Sequence, residues 1–289
     1  METEGSQTTR TAAGRGRGLA AGLLGAALLA AACGPPQAER IAGWDASDES
    51  NAASIDHGAW QDILDAYVRP DADGVNLFDY AGLAAHSGDS TGLAEYLGDL
   101  EAIDPRDYSR AEQMAYWINF YNALTVKVVL DEYPVDSIKE IHEGVIPLEG
   151  PWGDVHANVA GEDLTLDDIE HGILRPIWRE KRIHYAVNCA AYTCPHLIET
   201  AFTAANTESL LEAGAHAYVN SPRGVDVVDE DFMVLSSIYQ WYPEDFGGTE
   251  EAVIEHLVEY ADDELAAFLK GFEGAIDYDY DWTLNEPRR

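Results

Sequence analysis

From Asp56 onward the apolar positions Trp60, Ile63, Leu64 and Tyr67 recur at helical spacing, up to Pro70, which cannot continue a helix. Leu93 to Ile103 reads as a second helix, closed by Asp104 and Pro105. Ser109 can cap a third, with Glu112 three residues on completing a capping box, and its periodic run reaches about Leu130 before Pro134. Thr165 with Asp168 makes another box, and the helix it opens, LDDIEHGILR, is expected to end at Pro176. Thr207 to Val219 and Glu250 to Phe272 read as further helices, the last one long and unbroken.

Between these helices the pattern shortens to strands. Val75 and Leu77 suggest a hairpin arm, and Val155 to Val159 turns at Gly161 into Leu164. Val225 to Val228 and Met233 to Leu235 make another pair. A loop with Gly144, Pro147, Gly150 and Pro151 precedes the Val155 strand, and Ile183 to Val187 reads as a strand running into Cys189. The resulting expectation is one α+β domain over residues 56–287, with helices packed on a small, mostly antiparallel sheet.

The third helix carries the most information. Met114, Trp117, Ile118, Tyr121, Leu124 and Val128 form one broad apolar face, and Glu112, Asn119 and Asn122 fall opposite, with Lys127 at the edge. Such a stripe is ordinarily a solvent face. Two asparagines beside two aromatics is an odd choice for a free surface, however, because Asn is a weak helix former.

Residues 10 to 18 hold Arg10, Arg15 and Arg17 without an acid, and the apolar run Leu19 to Ala32 follows. As a helix it would reach about 21 Å, short of a hydrocarbon core of ~30 Å. A positive start, this apolar length and small residues at its end describe an export signal over residues 1–32. Cys33-Gly34 then resembles the lipobox of bacterial lipoproteins, with Ala30 where leucine is usual. It implies lipidation at Cys33 and an exported protein anchored at the cell envelope, and ordinary cleavage after Ala32 is the alternative. Residues 33–55, rich in Pro, Gly, Ser and acids, read as a flexible tether. The net charge of −36 argues against nucleic acid and anionic headgroups as partners of the folded part.

A thiol nucleophile needs a base and a group that orients it. On a regular strand His184 and Cys189 would face opposite ways, about 16 Å apart at ~3.3 Å per residue, so His184 is not the expected base. The same geometry weakens a zinc site from His184, Cys189, Cys194 and His196. His171, in the last turn of the Thr165-capped helix, is the candidate base: the helix dipole favours its imidazolium, with Asp167 one turn back and Glu170 beside it. Alternatively, Cys189 and Cys194 bridge. No Gly-x-Ser-x-Gly, phosphate loop, dinucleotide fingerprint or His-Glu-x-x-His occurs, so no cofactor is expected.

Taken together, AEQMAYWINFYNALTVKVVL, PWGDVHANVAGEDLTLDDIEHGILR, RIHYAVNCAAYTCPHL, AFTAANTESLLE and YDWTLN resemble the domain of unknown function 547 family over essentially Asp56 to Pro287. The resemblance puts the family's motif positions at Asn119, Asn122, Glu170, His171, His184, Asn188, Cys189, Cys194 and Pro195. No activity comes with it. The leading expectation is a thiol-dependent hydrolase or transferase acting on an amide, ester or thioester. Its nucleophile is Cys189, its base His171, its orienting group Glu170, Asp167 or Asn119, and its polar lining Asn188. The competing expectation is a non-catalytic binding or scaffold module with a structural Cys189–Cys194 bridge. The occupant in either case is a small molecule or an envelope protein or peptide.

Overall fold

The computed structural model describes residues 36–72, 74–142 and 150–287. The export signal over residues 1–32, Cys33, and the loop positions Gly144 and Pro147 lie outside the described residues. α1 (Gly58–Tyr67) leads into β1 (Val68–Pro70), which pairs antiparallel with β2 (Asn76–Phe78). α2 (Tyr80–Ala85) and α3 (Ser87–Glu101) follow, and both pack on α4 (Arg110–Glu132).

α4 is the spine. Every residue from Gln113 to Val126 is buried, so the helix is wrapped on all sides rather than amphipathic. Its polar stripe is therefore internal: Asn119 and Asn122 hydrogen bond to neighbouring backbone, as an enclosed polar side chain must. Ser109 accepts the Glu112 N–H at 3.3 Å, while the Glu112 carboxylate reaches out to the Ile55 N–H at 3.2 Å.

β3 (Val155–Val159) and β4 (Glu162–Thr165) form an antiparallel hairpin. Its turn residues Ala160 (φ 50°) and Gly161 (φ 84°) both lie in the left-handed region, as a tight twisted hairpin requires. Thr165 and Asp168 then cap each other reciprocally, at 2.9 and 3.0 Å. The helix they open is a π-helix, Asp168–Leu174, and it passes directly into α5 (Arg175–Trp178). Pro176 therefore does not end it. Where the wider π hydrogen-bonding register gives way to the α register, a proline costs little by bringing no N–H.

Lys181–Tyr185 is a 3-10 turn and not the expected strand. The Glu180 side chain caps it by accepting the Arg182 N–H at 3.0 Å, and a short apolar run alone does not distinguish a buried turn from a strand. α6 (Thr207–Val219) precedes a mixed sheet of β5 (Val225–Val227), β6 (Phe232–Ser236) and β7 (Ala275–Asp279). β5 runs antiparallel to β6, and β7 runs parallel to it with Met233 opposite Ile276. The β6–β7 crossover holds α7 (Ile238–Trp241), α8 (Glu250–Tyr260) and α9 (Asp263–Gly271). The single long helix expected over 250–272 is thus two. Its break is held by the Asn220 side chain, which accepts the Asp262 N–H at 2.7 Å, and each half buries its own face, with Leu257 and Leu269 enclosed.

Residues 36–54 correct the expectation of a tether. They lie along the domain, with Trp44 only 1% exposed and edge-on to Trp117 at 5.2 Å. Glu39 and Ile41 donate backbone hydrogen bonds to the carbonyls of His171 and Gly172, at 3.1 and 3.0 Å. A Cβ at Gly172 would sit 2.5 Å from the Ile41 side chain, so the arm's close approach depends on that glycine. From residue 36 on, the described chain thus packs as part of the compact unit. Its architecture is α+β, with short sheets and helices around one main apolar cluster centred on α4 and a second beside β6. Among the described residues no helix is long and apolar enough to cross a membrane.

Candidate functional site

The π-helix turns Glu170 and His171 into the interior and the first residue of α5 adds Arg175; the three are 8%, 6% and 5% exposed. The 3-10 turn brings His184 to them, and the loop after α7 brings Asp245. Arg175 Nε donates to Asp245 Oδ2 at 2.6 Å, and His184 Nε2 meets the same oxygen at 2.6 Å. Burial works to raise the Asp245 carboxyl, but its interactions with His184 and Arg175 together outweigh that and hold it down at about 2. Tyr242 closes the cluster, stacked on His184 at 4.8 Å with the Arg175 guanidinium 4.4 Å over its ring.

His171 is not the expected imidazolium. Burial pushes its pKa down to about 4, with Glu170 opposing and Arg175 reinforcing the shift. Arg175 donates to His171 Nδ1 at 2.8 Å, so that nitrogen carries a lone pair and Nε2 the proton, 3.6 Å from Asp167 Oδ1. The dipole expectation fails because a guanidinium one turn away occupies the position that would reward a charged ring. Asp167 in turn is pushed up to about 7 by burial and by the neighbouring carboxylates Glu170 and Asp168. Glu170 lies 3.8 Å from His171 and 3.9 Å from His184, and it accepts a hydrogen bond from the Tyr121 hydroxyl.

The cysteine loop is a separate construction. Cys189 and Cys194 are free thiols with their sulfurs 2.8 Å apart, closer than unbonded sulfurs ordinarily pack. Cys189 is half-buried, and its sulfur also lies 3.2 Å from the Tyr280 hydroxyl and accepts the Ala191 N–H. Burial works to raise the Cys189 pKa, but the hydrogen bonds from Cys194, Tyr280 and Ala191 outweigh it and the net shift is downward. Cys194 moves the other way, well up, through burial and the neighbouring Cys189 charge. Neither His171 nor His184 is hydrogen bonded to either sulfur. His184, His171, Arg175 and Asp245 satisfy one another instead.

Asparagines hold the loop in shape. Asn122 donates to the Ala186 carbonyl and accepts the Asn188 N–H, both at 2.8 Å. Asn188 donates to the Pro195 carbonyl at 2.8 Å and accepts the Ala190 N–H at 3.0 Å. Asn285 donates to Asn188 at 3.2 Å through its side chain and to the Ala190 carbonyl at 3.0 Å through its backbone. Ala190 sits at φ 61°, a left-handed conformation that costs a non-glycine residue about 1–2 kcal/mol and is sustained here by this web. Asn119 belongs elsewhere: both ends of its amide bind the backbone of Phe202, at 2.8 and 2.9 Å, so it orients no catalytic group.

Tyr280, Asp245, Arg175 and Tyr242 escaped the sequence reading. Tyr280 arrives on the C-terminal tail, which runs beside the loop through Tyr192 N–H to Thr283 and Thr193 N–H to Asp281, at 2.8 and 3.2 Å. Its signal was the alternating IDYDYDW run, which puts aromatics on one side of an extended chain. Among the described residues no group of three or more His, Cys, Asp or Glu side chains could hold a metal ion.

A paired-thiol loop beside a buried histidine–carboxylate cluster is thus what the α+β fold displays. Residues 105–219 match the family model described as protein of unknown function, DUF547, which supports that family for the segment from the approach to α4 through α6. The matched span contains both cysteines and the π-helix and stops short of Asp245 and Tyr280. No curated protein and no solved structure matches the chain.

Proposed function

We propose that the protein is a thiol-dependent hydrolase or transferase of the cell envelope, with Cys189 attacking the carbonyl carbon of an amide, ester or thioester. One observation carries this reading: the sulfur of Cys189, a half-buried residue, lies 2.8 Å from the Cys194 sulfur and 3.2 Å from the Tyr280 hydroxyl, and its pKa is shifted downward. A pKa lowered by the surrounding hydrogen bonds favours the thiolate, which is the nucleophilic form, without a histidine partner. Attack forms a carbon–sulfur bond and moves the carbonyl electrons onto oxygen. Their return expels the amine, alcohol or thiol, and water or an acceptor then takes the acyl group. The proton that the Cys189 thiol releases passes through solvent to the departing group.

A panel of chromogenic esters, thioesters and peptide amides tests this reading. Wild type should turn over at least one class and show an acyl mass on Cys189, and Cys189→Ser should do neither. Absence of both adduct and turnover across the panel sinks the acyl-transfer reading.

The envelope location rests on Arg10, Arg15, Arg17, the apolar run to Ala32 and Cys33. Cys33→Ser should move the protein from the membrane to the soluble fraction and remove the acyl mass from its N-terminal peptide. An unchanged distribution would refute the anchor.

A further inference from the structure

The two cysteines are unequal in a way that simple nucleophilic attack by Cys189 does not use. Cys189 is half-buried and Cys194 is 4% exposed, so the first is the more open of the two residues. Yet the second is held against it: the sulfurs are 2.8 Å apart, and the Cys189 N–H points at the Cys194 sulfur at 2.9 Å. The intervening turn is closed by the Cys194 N–H to the Ala191 carbonyl at 3.1 Å, and the C-terminal tail pins its outer edge at Tyr192 and Thr193. The loop therefore keeps the two sulfurs together without any larger movement of the fold.

We infer that Cys189 and Cys194 form a reversible dithiol–disulfide couple that exchanges with a disulfide substrate, giving the site a second, redox activity. Cys189 thiolate attacks one sulfur of the substrate disulfide, forming a mixed disulfide and expelling the other sulfur as a thiolate. Cys194 then gives up its proton and attacks the Cys189 sulfur of that mixed disulfide. This releases the remaining substrate thiol and leaves a Cys189–Cys194 bridge. The substrate gains two electrons and the pair loses two, so the balance needs no other reactant. The opposite displacements of the two thiol pKa values suit an attacking and a resolving cysteine respectively. The inference rests on the same Cys189 thiolate as the proposed acyl chemistry and on no acyl substrate.

The test uses the full folded chain carrying Cys33→Ser, so that only this pair can react, and dithiobis-nitrobenzoate as the disulfide. The pair should release two equivalents of nitrothiobenzoate and finish with no adduct, lighter by two hydrogens. Adding Cys194→Ser should halve the release and leave one stable adduct on Cys189. Should that variant not fold, the mass of the Cys194-containing protein decides alone. Rapid alkylation of Cys189 together with persistent adducts and no bridge overturns the couple and leaves acyl transfer standing. A Cys189 inert to both alkylator and disulfide overturns both.

Discussion

Around the π-helix, Arg175, His184 and Asp245 close on one another at 2.6 Å and His171 takes a hydrogen bond from Arg175 at 2.8 Å, so the charges and rings there already have partners. In the cysteine loop the half-buried sulfur of Cys189 collects donors and meets no counter-charge. The first arrangement is what a buried cluster needs to survive desolvation. The second is what a reactive anion needs before a substrate arrives. Under the proposed function the histidines are framework and the thiol carries the chemistry.

The comparison breaks first at Arg175. Arg175→Met leaves Asp245 with His184 as its one remaining partner in the cluster and removes the Nδ1 donor of His171. Loss of one partner of a buried pair should cost about 2–3 kcal/mol, below the full range because Asp245 is partly open. Urea unfolding should show this loss while Cys189 in the still-folded protein keeps its alkylation rate. An equal fall in reactivity would mean the two regions are one machine.

Asn122→Ala probes the loop from the other side. It leaves the Ala186 carbonyl and the Asn188 N–H unpaired in the interior, which should cost about 1–3 kcal/mol. Here reactivity should fall along with stability, because Asn188 sets the turn that carries Cys189.

Titration probes the buried framework at several groups at once. His171, His57 and His196 have pKa values lowered to about 4, and His256 to about 3, each first by burial. Between the ordinary value of 6.5 and these values the unfolded chain binds protons that the folded chain refuses, so stability falls as pH drops through that window. Asp167, raised to about 7, acts oppositely: its folded form holds a proton between about 4 and 7, and its contribution fades as pH rises. Four histidines against one carboxyl give a net loss on acidification, readable as a melting temperature that declines from pH 7 to pH 4. A flat or rising curve would mean that these rings are accessible.

Much of this framework was legible in the sequence. The reciprocal cap of Thr165 and Asp168, the Gly161 turn and the oddity of Asn119 and Asn122 are local signals, and local chemistry decides them. The π-helix was not legible, since its apolar spacing over seven residues differs little from that of an α-helix. Nor was the His171 environment, because Arg175 was read as the last helical residue before a proline stop. Tyr280 stands 91 positions from Cys189, and no spacing rule connects residues that meet only through the fold. The arm around Trp44 was misjudged from composition: Trp44 buried against α4 and Ile41 half-buried beside the π-helix outweighed the polar residues between them.

The measurement that bears most directly on the account is the pH dependence of Cys189 alkylation in the native protein, made in the Cys33→Ser background. The rate should reach its plateau at a pH below the ordinary thiol range, and Tyr280→Phe should shift the profile upward with little change in stability. A hydrogen bond to a charged group contributes about 1.5–3 kcal/mol, so that variant should react tenfold or more slowly at neutral pH. A wild-type profile at or above that of an ordinary thiol, unmoved by Tyr280→Phe, would contradict the assignment of Cys189 as a stabilised nucleophile.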